Sequence, residues 1–581
     1  MKTRHTLAII GSGPSCIYLL KHLLDGIEQF RANLASIDVF EKSKTAGMGM
    51  PYNPETTERF NMSNISSEEL PALTISFADW LRGLDAVRLK GFGIDPEAIS
   101  DSEVYPRLAL GEYQHSQYQA IIARLAAAGI SVREHTNCKI VDVRDESDSI
   151  TLIKDEGTHF DFDRVVLATG HYWPEEDHPT SGYYTSPWPI SKLFPKKGAT
   201  YNFSIGTLGA SLSAFDVVSS LAHRHGTFET KNGGLVFLPH PDTENFRIVM
   251  HAANGLLPHL QYSQSRPMRE IERHIKEEEL LALRDKKGFL RLATYFDQVC
   301  RPVLIAAFGK DEMPELIALL QDRGFKMEDF AGKMTEKHEY ADAFEGMRCE
   351  MHEAMQSVLQ NKPIHWKEAL DDLMYTLNFY AELMPAEDHL TLHSSFLPFL
   401  MNVIAALPLA SGRILLALRE AGKLELVEGK VKVEEPEDGA TRTKLSIDNE
   451  GEKSELTYKM FVDCSGQGPL DLDDFPFPSL LAGGGVRKAR AVFIDPKVVA
   501  DVPEAKRDTI FEEQGLCYYP IGGIDIDRGY RLITIDGESS DKIFDISFPH
   551  TTGIRPYSYG LQACNDTARL LVDGWKAELT K

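Results

Sequence analysis

The stretch that decides the fold is TLAIIGSGPSCIYLLKHLL at residues 6–24. A short apolar run is broken by a glycine turn and followed by apolar residues at helical spacing, which predicts a strand, a tight loop and a helix. Gly11 permits the turn, and Gly13 lets the backbone approach a pyrophosphate whose charge is met by the amides at the helix N-terminus. Cys16 takes the third position of the G-x-G-x-x-G pattern, where a small residue still allows close packing of helix on strand.

A lone glycine motif is a weak signal, because any tight strand-to-helix turn can produce it. Its position strengthens it: residues 35–41, ASIDVFE, predict a second strand that ends in an acidic residue 28 positions after Gly13. Glu41 would then hydrogen-bond an adenosine ribose. The alternative is a solvated glutamate at the end of a strand.

Length, charge and cysteine content exclude several classes of protein. The chain has 581 residues, more than one hydrophobic core normally serves, so we expect two or three domains. A net charge of −24 argues against a nucleic-acid or anionic-membrane binder. The first residues lack the pattern of a signal peptide, so we expect a cytoplasmic protein. Seven cysteines without a C-x-x-C pair argue against a disulfide framework, a zinc site and a dithiol redox centre.

The segment FEKSKTAGMGMPYNP, residues 40–54, resembles the region after the second strand in a family of FAD/NAD(P)-binding flavoproteins. That family includes monooxygenases that hydroxylate amino groups or purines. Further matches follow in order: PR at 106–107, GEY at 111–113 and DRVVLATG at 163–170. With the glycine turn, the resemblance implies an FAD site formed by Gly11, Gly13, Pro14, Ser15, Glu41, Lys42, Gly49, Met50, Tyr52, Arg107, Ile140, Thr169 and Gly170.

A partial internal repeat indicates the same layout from the residues alone. Within 129–170, the strand-like segments ISVR, KIVDV and ITLI precede DRVVLATG, and within 422–466, LELV, KVKV and KLSI precede KMFVDCSG. Each set is typical of a β-meander that closes a nucleotide-binding domain. Two such closures imply two such domains.

The second domain is expected to open with its own glycine turn, and YNFSIGTLGASLSAFDVVSSL at 201–221 offers one. Gly206, Gly209 and Ser211 can cradle a second pyrophosphate, although the spacing departs from G-x-G-x-x-G and a plain strand-to-helix turn stays open. After the next strand, Asn254 stands where the family often carries an arginine. Because an NADP 2′-phosphate prefers arginine, the choice between NADH and NADPH stays open.

Two further regions are predicted to be helical. Residues 262–420 are rich in Glu, Lys, Leu, Ala and Met at helical spacing and predict an insertion, within which 396–410 reads as one buried core helix. Residues 551–573 predict a glycine-containing turn followed by a helix. In flavoproteins of this type, such a helix N-terminus points at the flavin pyrimidine edge, which adds Gly553 and Tyr559 to the FAD site. An ordinary terminal helix is the alternative.

These segments together predict an α/β fold with two Rossmann-like dinucleotide-binding domains and a helical insertion. The expected FAD-binding domain comprises residues 1–195 and 467–581. The expected NAD(P)-binding domain comprises residues 196–261 and 421–466, and it carries the insertion at 262–420.

The resemblance implies an FAD-dependent, NAD(P)H-using monooxygenase that hydroxylates a small nucleophilic substrate. The amino nitrogen of an amino acid or amine is the first choice of target, and a purine or other electron-rich ring is the second. A flavin reductase or oxidase without hydroxylation, and a non-catalytic nucleotide sensor, remain alternatives. The cofactors themselves carry the difficult chemistry, so no catalytic side chain is assigned.

Substrate identity is poorly encoded in the sequence. Asn61, Asn64, His259 and Arg555 lie in segments expected near the flavin, and Arg555 could pair with a substrate carboxylate. Each could equally be a capping, core or surface residue. The histidines show no metal-ligand spacing, so no metal is assigned. The expected partners are a small-molecule substrate and O₂, without nucleic acid or membrane, and a homo-oligomer stays open.

Overall fold

The computed structural model describes residues 5–173, 175–336, 342–404, 406–437 and 439–580 of the chain. Residues 1–4, on which the expectation about a signal peptide partly rests, lie outside these ranges. Among the helices of the described ranges, none combines the length and the apolar run that a membrane crossing needs.

The first sheet is built around the strand of the opening glycine motif. Its six strands, in spatial order, are Arg531–Ile533, Ser539–Asp545, Arg164–Leu167, His5–Ile10, Leu34–Phe40 and Ser131–His135. All neighbours pair in parallel except the first two. Ala8 and Ile9 are fully buried, as a continuous apolar run in a parallel sheet requires. Strands from both ends of the chain share this sheet.

Two helices pack together beside this sheet. Pro14–Asp25 begins at the glycine turn, and Gly560–Leu579, near the end of the chain, packs against it. Cys16 is fully buried, and burial raises the pKa of its thiol, which fits a packing role. The other helices and strands of this half are Ile27–Phe30, Met62–Ser66, Phe77–Arg82, Ala86–Phe92, Val104–Pro106, Arg107–Ala127, Pro478–Ala482, Lys488–Val492, Glu504–Arg507, Phe511–Glu513, Leu516–Ile524 and Phe548–Thr551.

The second sheet is parallel throughout. Its five strands, in spatial order, are Tyr183–Tyr184, Phe461–Asp463, Ser204–Leu208, Arg247–Ala252 and Leu424–Glu428. Helix Leu212–His225 follows the central strand, and the hairpin Gly226–Lys231 with Gly234–Pro239 comes next in the chain. The predicted pair of Rossmann-like units is therefore present.

Both predicted meanders exist, with a shift in the strands that form them. They consist of Ile140–Asp145, Ile150–Lys154 and His159–Phe162 in the first case, and of Lys430–Val433, Thr443–Asn449 and Glu452–Tyr458 in the second. The ISVR and LELV segments instead join the two parallel sheets. The third strand of the second meander was missed because its residues are mostly polar and exposed, and that of the first was missed because it is only four residues long.

The insertion is helical, as predicted. Its helices are Glu277–Ala282, Leu292–Tyr295, Arg301–Lys310, Pro314–Gln321, Met327–Glu336, Ala343–Gln360, His365–Asn378, Ala386–Thr391, Leu397–Ile404 and Leu409–Glu420, with π-helical turns at Phe296–Cys300 and Leu392–Phe396. The prediction of one core helix over 396–410 is wrong. One helix ends at Ile404 and the next begins after Pro408, because proline cannot continue the hydrogen-bonded turn before it.

Candidate functional site

A cavity of about 260 Å³ lies where strands of the first sheet reach their carboxyl ends. Parallel sheets with helical crossovers place their ligands in this position. Most of the predicted FAD-binding residues line the cavity: Gly11, Gly13, Pro14, Ser15, Glu41, Lys42, Gly49, Met50, Tyr52, Thr169, Gly170 and Tyr559. We call this space the first-sheet cavity.

Two glycines of the cavity wall accept no larger residue. Gly11 has a φ of +103°, and a Cβ atom on it would lie 2.1 Å from the carbonyl oxygen of Ala168. Gly49 has a φ of +79°, and its Cβ would lie 2.8 Å from Pro14 Cδ. Gly13 caps helix Pro14–Asp25 without a side-chain hydrogen bond, so the first amides of the helix stay open to a ligand. This arrangement suits a pyrophosphate.

Glu41 directly follows its strand and is fixed in place by two serines. Its Oε2 accepts a 2.6 Å hydrogen bond from Ser12 Oγ, and its Oε1 accepts one of 2.8 Å from the Ser43 amide. Ser12 Oγ in turn accepts from the Gly47 amide at 3.0 Å. The carboxylate is therefore oriented in the cavity wall, where a ribose hydroxyl could donate to it.

The C-terminal segment closes the opposite wall of the cavity. Helix Gly560–Leu579 begins there, and its N-cap residue Tyr559 makes no side-chain capping bond. The positive end of its dipole is thus available to a negatively charged group. Nearby, Ser547 Oγ accepts from the Thr169 amide at 3.0 Å, and buried His550 is 2.6 Å from Asp545 Oδ2 through its Nδ1. The hydrogen bond from Thr169 to Ser547 connects the C-terminal segment to the turn that follows strand Arg164–Leu167.

The second glycine turn shares features with the first. Gly209 has a φ of +101°, and a Cβ on it would lie 2.9 Å from the carbonyl oxygen of Cys464. Gly206 faces the Phe461 ring, which a Cβ would approach to 2.5 Å. Ser211 caps helix Leu212–His225 through its backbone and makes no side-chain capping bond. The turn and the helix N-terminus can therefore accept a second pyrophosphate.

Comparison with known proteins also indicates a cofactor-binding role for the first part of the chain. Residues 8–172 match the model of a FAD-NAD(P)-binding family, and residues 276–404 match that of a YdhS-like middle domain. This part of the chain, 8–172, is a FAD/NAD(P)-binding domain. The family match therefore assigns FAD and NAD(P) as the cofactors. The FAD pyrophosphate fits the glycine turn at Gly11 and Gly13 and the open N-terminus of helix Pro14–Asp25.

The chain is distantly similar to several proteins of known sequence or structure. The uncharacterized protein YdhS of Escherichia coli K12 is 28% identical over 481 residues, which covers 82% of this chain and 85% of the relative. The ornithine hydroxylase PvdA of Pseudomonas aeruginosa is 11% identical, with a TM-score of 0.48 and full coverage of both chains. The ornithine N-hydroxylase of Kutzneria sp. 744 is 12% identical, with a TM-score of 0.45 and coverage of 99% and 100%.

Three residues of the predicted FAD site do not line the first-sheet cavity. Arg107 donates through Nε to the Met62 carbonyl and pairs through Nη2 with Asp216 Oδ2 at 2.8 Å, which joins the FAD/NAD(P)-binding domain to helix Leu212–His225. Ile140 is buried in the core. A Cβ on Gly553 would lie 2.0 Å from the Gly522 carbonyl oxygen, so this glycine allows close backbone packing.

The residues that could set the NADH or NADPH choice lie at the end of the second sheet. His251 is the one histidine of the strand Arg247–Ala252; it is buried with Nε2 3.0 Å from the Tyr458 hydroxyl, and burial lowers its pKa to about 4. It is therefore neutral at pH 7. Glu428 lies close to Gly255, the residue after Asn254: a Cβ on Gly255 would be 3.1 Å from the Glu428 carboxylate. A negative charge at this point disfavours a phosphate.

Of the four predicted substrate residues, three are held by other protein groups. Asn61 is fully buried and donates to Ser220 Oγ at 3.0 Å. His259 Nδ1 lies 3.0 Å from Glu350 Oε1, and Arg555, 1% exposed, pairs with Glu382 at 2.6 Å.

The fourth, Asn64, lines a separate cavity of about 40 Å³, which is too small for an amino acid. None of the four is among the residues that line the first-sheet cavity. The prediction that they bind substrate therefore receives no geometric support from that cavity.

Several residues of the site were missed from the sequence. Ser12, Ser547 and Cys564 line the first-sheet cavity, and His550 supports it. Ser12 sits inside the glycine motif and could have been found as the partner of Glu41. The others lie far along the chain, and no spacing rule links them to the first turn. In the described ranges, no three His, Cys, Asp or Glu side chains are grouped so that they could hold a metal ion.

Proposed function

We propose that this chain is an FAD-dependent, NAD(P)H-using monooxygenase that hydroxylates a small nucleophilic substrate, with the amino nitrogen of an amino acid or amine as the preferred target. The observation that carries this proposal is the first-sheet cavity with its glycine walls, together with the second glycine turn on the second sheet. Bound FAD would accept a hydride from NAD(P)H and activate O₂. The proposal keeps the domain division expected from the sequence, except that strand Tyr183–Tyr184 pairs in the second sheet and is counted with the NAD(P)-binding domain.

In this proposal, the protein binds, orients and shields the cofactor. Gly11 and Gly13 let the backbone meet the pyrophosphate, and the open end of helix Pro14–Asp25 balances its charge. Glu41 accepts from the adenosine ribose. The N-terminus of helix Gly560–Leu579 stabilises the negative charge that gathers on a reduced flavin. Phe548, which lines the same cavity, helps to exclude water from the reaction.

The cysteines favour oxygenation over thiol–disulfide chemistry. All seven are free in the structure. Cys564 lies in the wall of the first-sheet cavity, but burial raises the pKa of its thiol, with a partly compensating hydrogen bond from Ser15. A reactive cysteine needs a lowered pKa, so this thiol is a poor electron relay. A reductase that passes electrons through a protein dithiol is therefore not favoured.

The test is a screen of small amines, amino acids and purines for stimulated NAD(P)H oxidation, with mass analysis of the products. The proposal predicts that at least one amine or amino acid raises oxidation and gains one oxygen atom. A hydroxylated purine in place of an amine would move the target to the second choice. Steady oxidation without any hydroxylated product would identify a reductase or oxidase. A protein that binds both nucleotides without turnover would be a sensor.

A further inference from the structure

The helical insertion contains a cavity of about 710 Å³ that is separate in its lining from the first-sheet cavity. Its walls come from the loop before helix Glu277–Ala282, from helices Arg301–Lys310 and His365–Asn378, and from the π-helical turn at Phe296–Cys300. A single π-helical turn inside a helix often marks a functional site. We call this space the insertion cavity.

Three cations line the insertion cavity, and each keeps at least one donor that no carboxylate of the described residues takes. Arg273 is 3% exposed at its side chain, and its buried Nε has no hydrogen-bond partner. Its other nitrogens are engaged: Nη1 donates to the Arg266 carbonyl at 3.3 Å and lies 3.3 Å from Asp372 Oδ2 and 3.8 Å from Glu368 Oε1, and Nη2 donates to the Met268 carbonyl. Within the described residues, neither the Arg266 guanidinium nor the Lys310 ammonium is paired with a carboxylate. A buried donor without a partner is costly, so a site of this kind is completed by an acceptor.

The acids of the same cavity are already engaged. Glu368 accepts from Ser265 Oγ at 2.8 Å and from the Arg266 amide at 2.8 Å. Glu279 accepts from the Lys276 amide at 3.3 Å, and burial raises the pKa of Asp372. The cavity therefore offers unfilled donors but few unfilled acceptors. A ligand that carries negative charge fits this balance.

The remaining wall is apolar and limits what the rest of the ligand can be. It is formed by Ile275, Leu283, Val299, Val303, Ala306 and Ala369. Inorganic phosphate would leave this wall in contact with water, whereas an aliphatic chain would cover it. The polar donors and the apolar wall together select a molecule with an acidic head and an apolar body.

We propose that the insertion cavity binds a small organic carboxylic acid with an aliphatic body, whose carboxylate is held by Arg273 and Lys310. The free Nε of Arg273 supplies one charge-assisted donor to that carboxylate. Lys310 is exposed at the end of its helix and adds a second charge. This site is independent of the proposed flavin chemistry.

The experiment is isothermal titration of the full-length protein, saturated with FAD, with four probes: hexanoate, hexylamine, hexan-1-ol and inorganic phosphate. We expect saturable binding of hexanoate, at least about tenfold tighter than each of the others. Lys310→Ala should weaken hexanoate binding about tenfold, the loss of one charge-assisted hydrogen bond. Lys286→Ala removes an exposed lysine outside the cavity lining and should change nothing.

A second variant keeps the test decisive if a cavity mutation disturbs folding. Arg273→Lys preserves the charge but removes the free Nε donor, and it should also weaken hexanoate binding. The proposal is overturned if hexanoate shows no saturable binding, or if any other probe binds as tightly. It is equally overturned if Lys310→Ala binds hexanoate as well as Lys286→Ala does, because hexanoate would then occupy another site.

Discussion

Replacement of Gly11 by alanine tests the glycine cradle at its most constrained point. The φ of +103° at this residue lies in the range that L-residues avoid, which costs roughly 1–2 kcal/mol. The new Cβ would also sit 2.1 Å from the Ala168 carbonyl oxygen. That oxygen belongs to the backbone and cannot rotate away, so overpacking adds about 1–3 kcal/mol. The expected loss of folding free energy is therefore about 2–5 kcal/mol.

Gly129→Ala is the matched control for this substitution. Its φ is +89°, yet a Cβ there would meet no atom within 4 Å, so only the backbone strain remains. We expect a loss of about 1–2 kcal/mol. The assay is urea unfolding followed by circular dichroism, with and without excess FAD. If Gly11→Ala unfolds at the same urea concentration as Gly129→Ala, the close packing of the turn on Ala168 is not a real constraint.

Two further predictions concern the insertion and the second nucleotide. Glu350→Gln leaves buried Lys367 without its carboxylate at 2.7 Å and should cost about 3–5 kcal/mol in unfolding experiments at pH 7, whereas exposed Glu353→Gln should be nearly neutral. Burial raises the pKa of Glu350, but His259 and Lys367 beside it lower that pKa to about 2. The stabilising contribution of Glu350 is therefore present above about pH 4.5 and should fade as the pH falls towards 2. With Asn254 in place of arginine and Glu428 close by, NADPH should not be preferred over NADH by more than about a thousandfold in kcat/KM, about 4 kcal/mol, and a larger preference would reveal another cationic pocket.

The sequence was sufficient for the glycine turn of each parallel sheet and for the strand before it because these signals are local. The strand before Gly11 is a continuous apolar run, and the glycine turn and the apolar helix follow it directly. The same local logic located the second turn at Gly206 and Gly209. The prediction of a single helix over 396–410 was wrong because it relied on the apolar composition of the segment and not on Pro408, a residue that favours the start of a new helix.

The candidate site was only partly predictable because its second wall comes from distant sequence. Ser547 and Tyr559 reach the first-sheet cavity only because strand Ser539–Asp545 pairs with Arg164–Leu167. The prediction that Arg555 binds a substrate carboxylate could not anticipate Glu382, a partner inside the insertion. Side-chain pairing across such separations is set by the tertiary fold and leaves no spacing signal in the chain.

The most direct test of the account is the FAD content of purified protein, measured from the flavin absorbance of wild type, Gly13→Asp and Gly91→Asp. A Cβ on Gly13 would lie 3.3 Å from Gly49 Cα, and the carboxylate would place negative charge where the pyrophosphate is expected. Gly91 lies in helix Ala86–Phe92 with no atom within 4 Å of its Cβ position. We predict one FAD per chain in wild type and Gly91→Asp, and almost none in Gly13→Asp. Wild-type FAD content in Gly13→Asp would contradict the assignment of this turn as the FAD site.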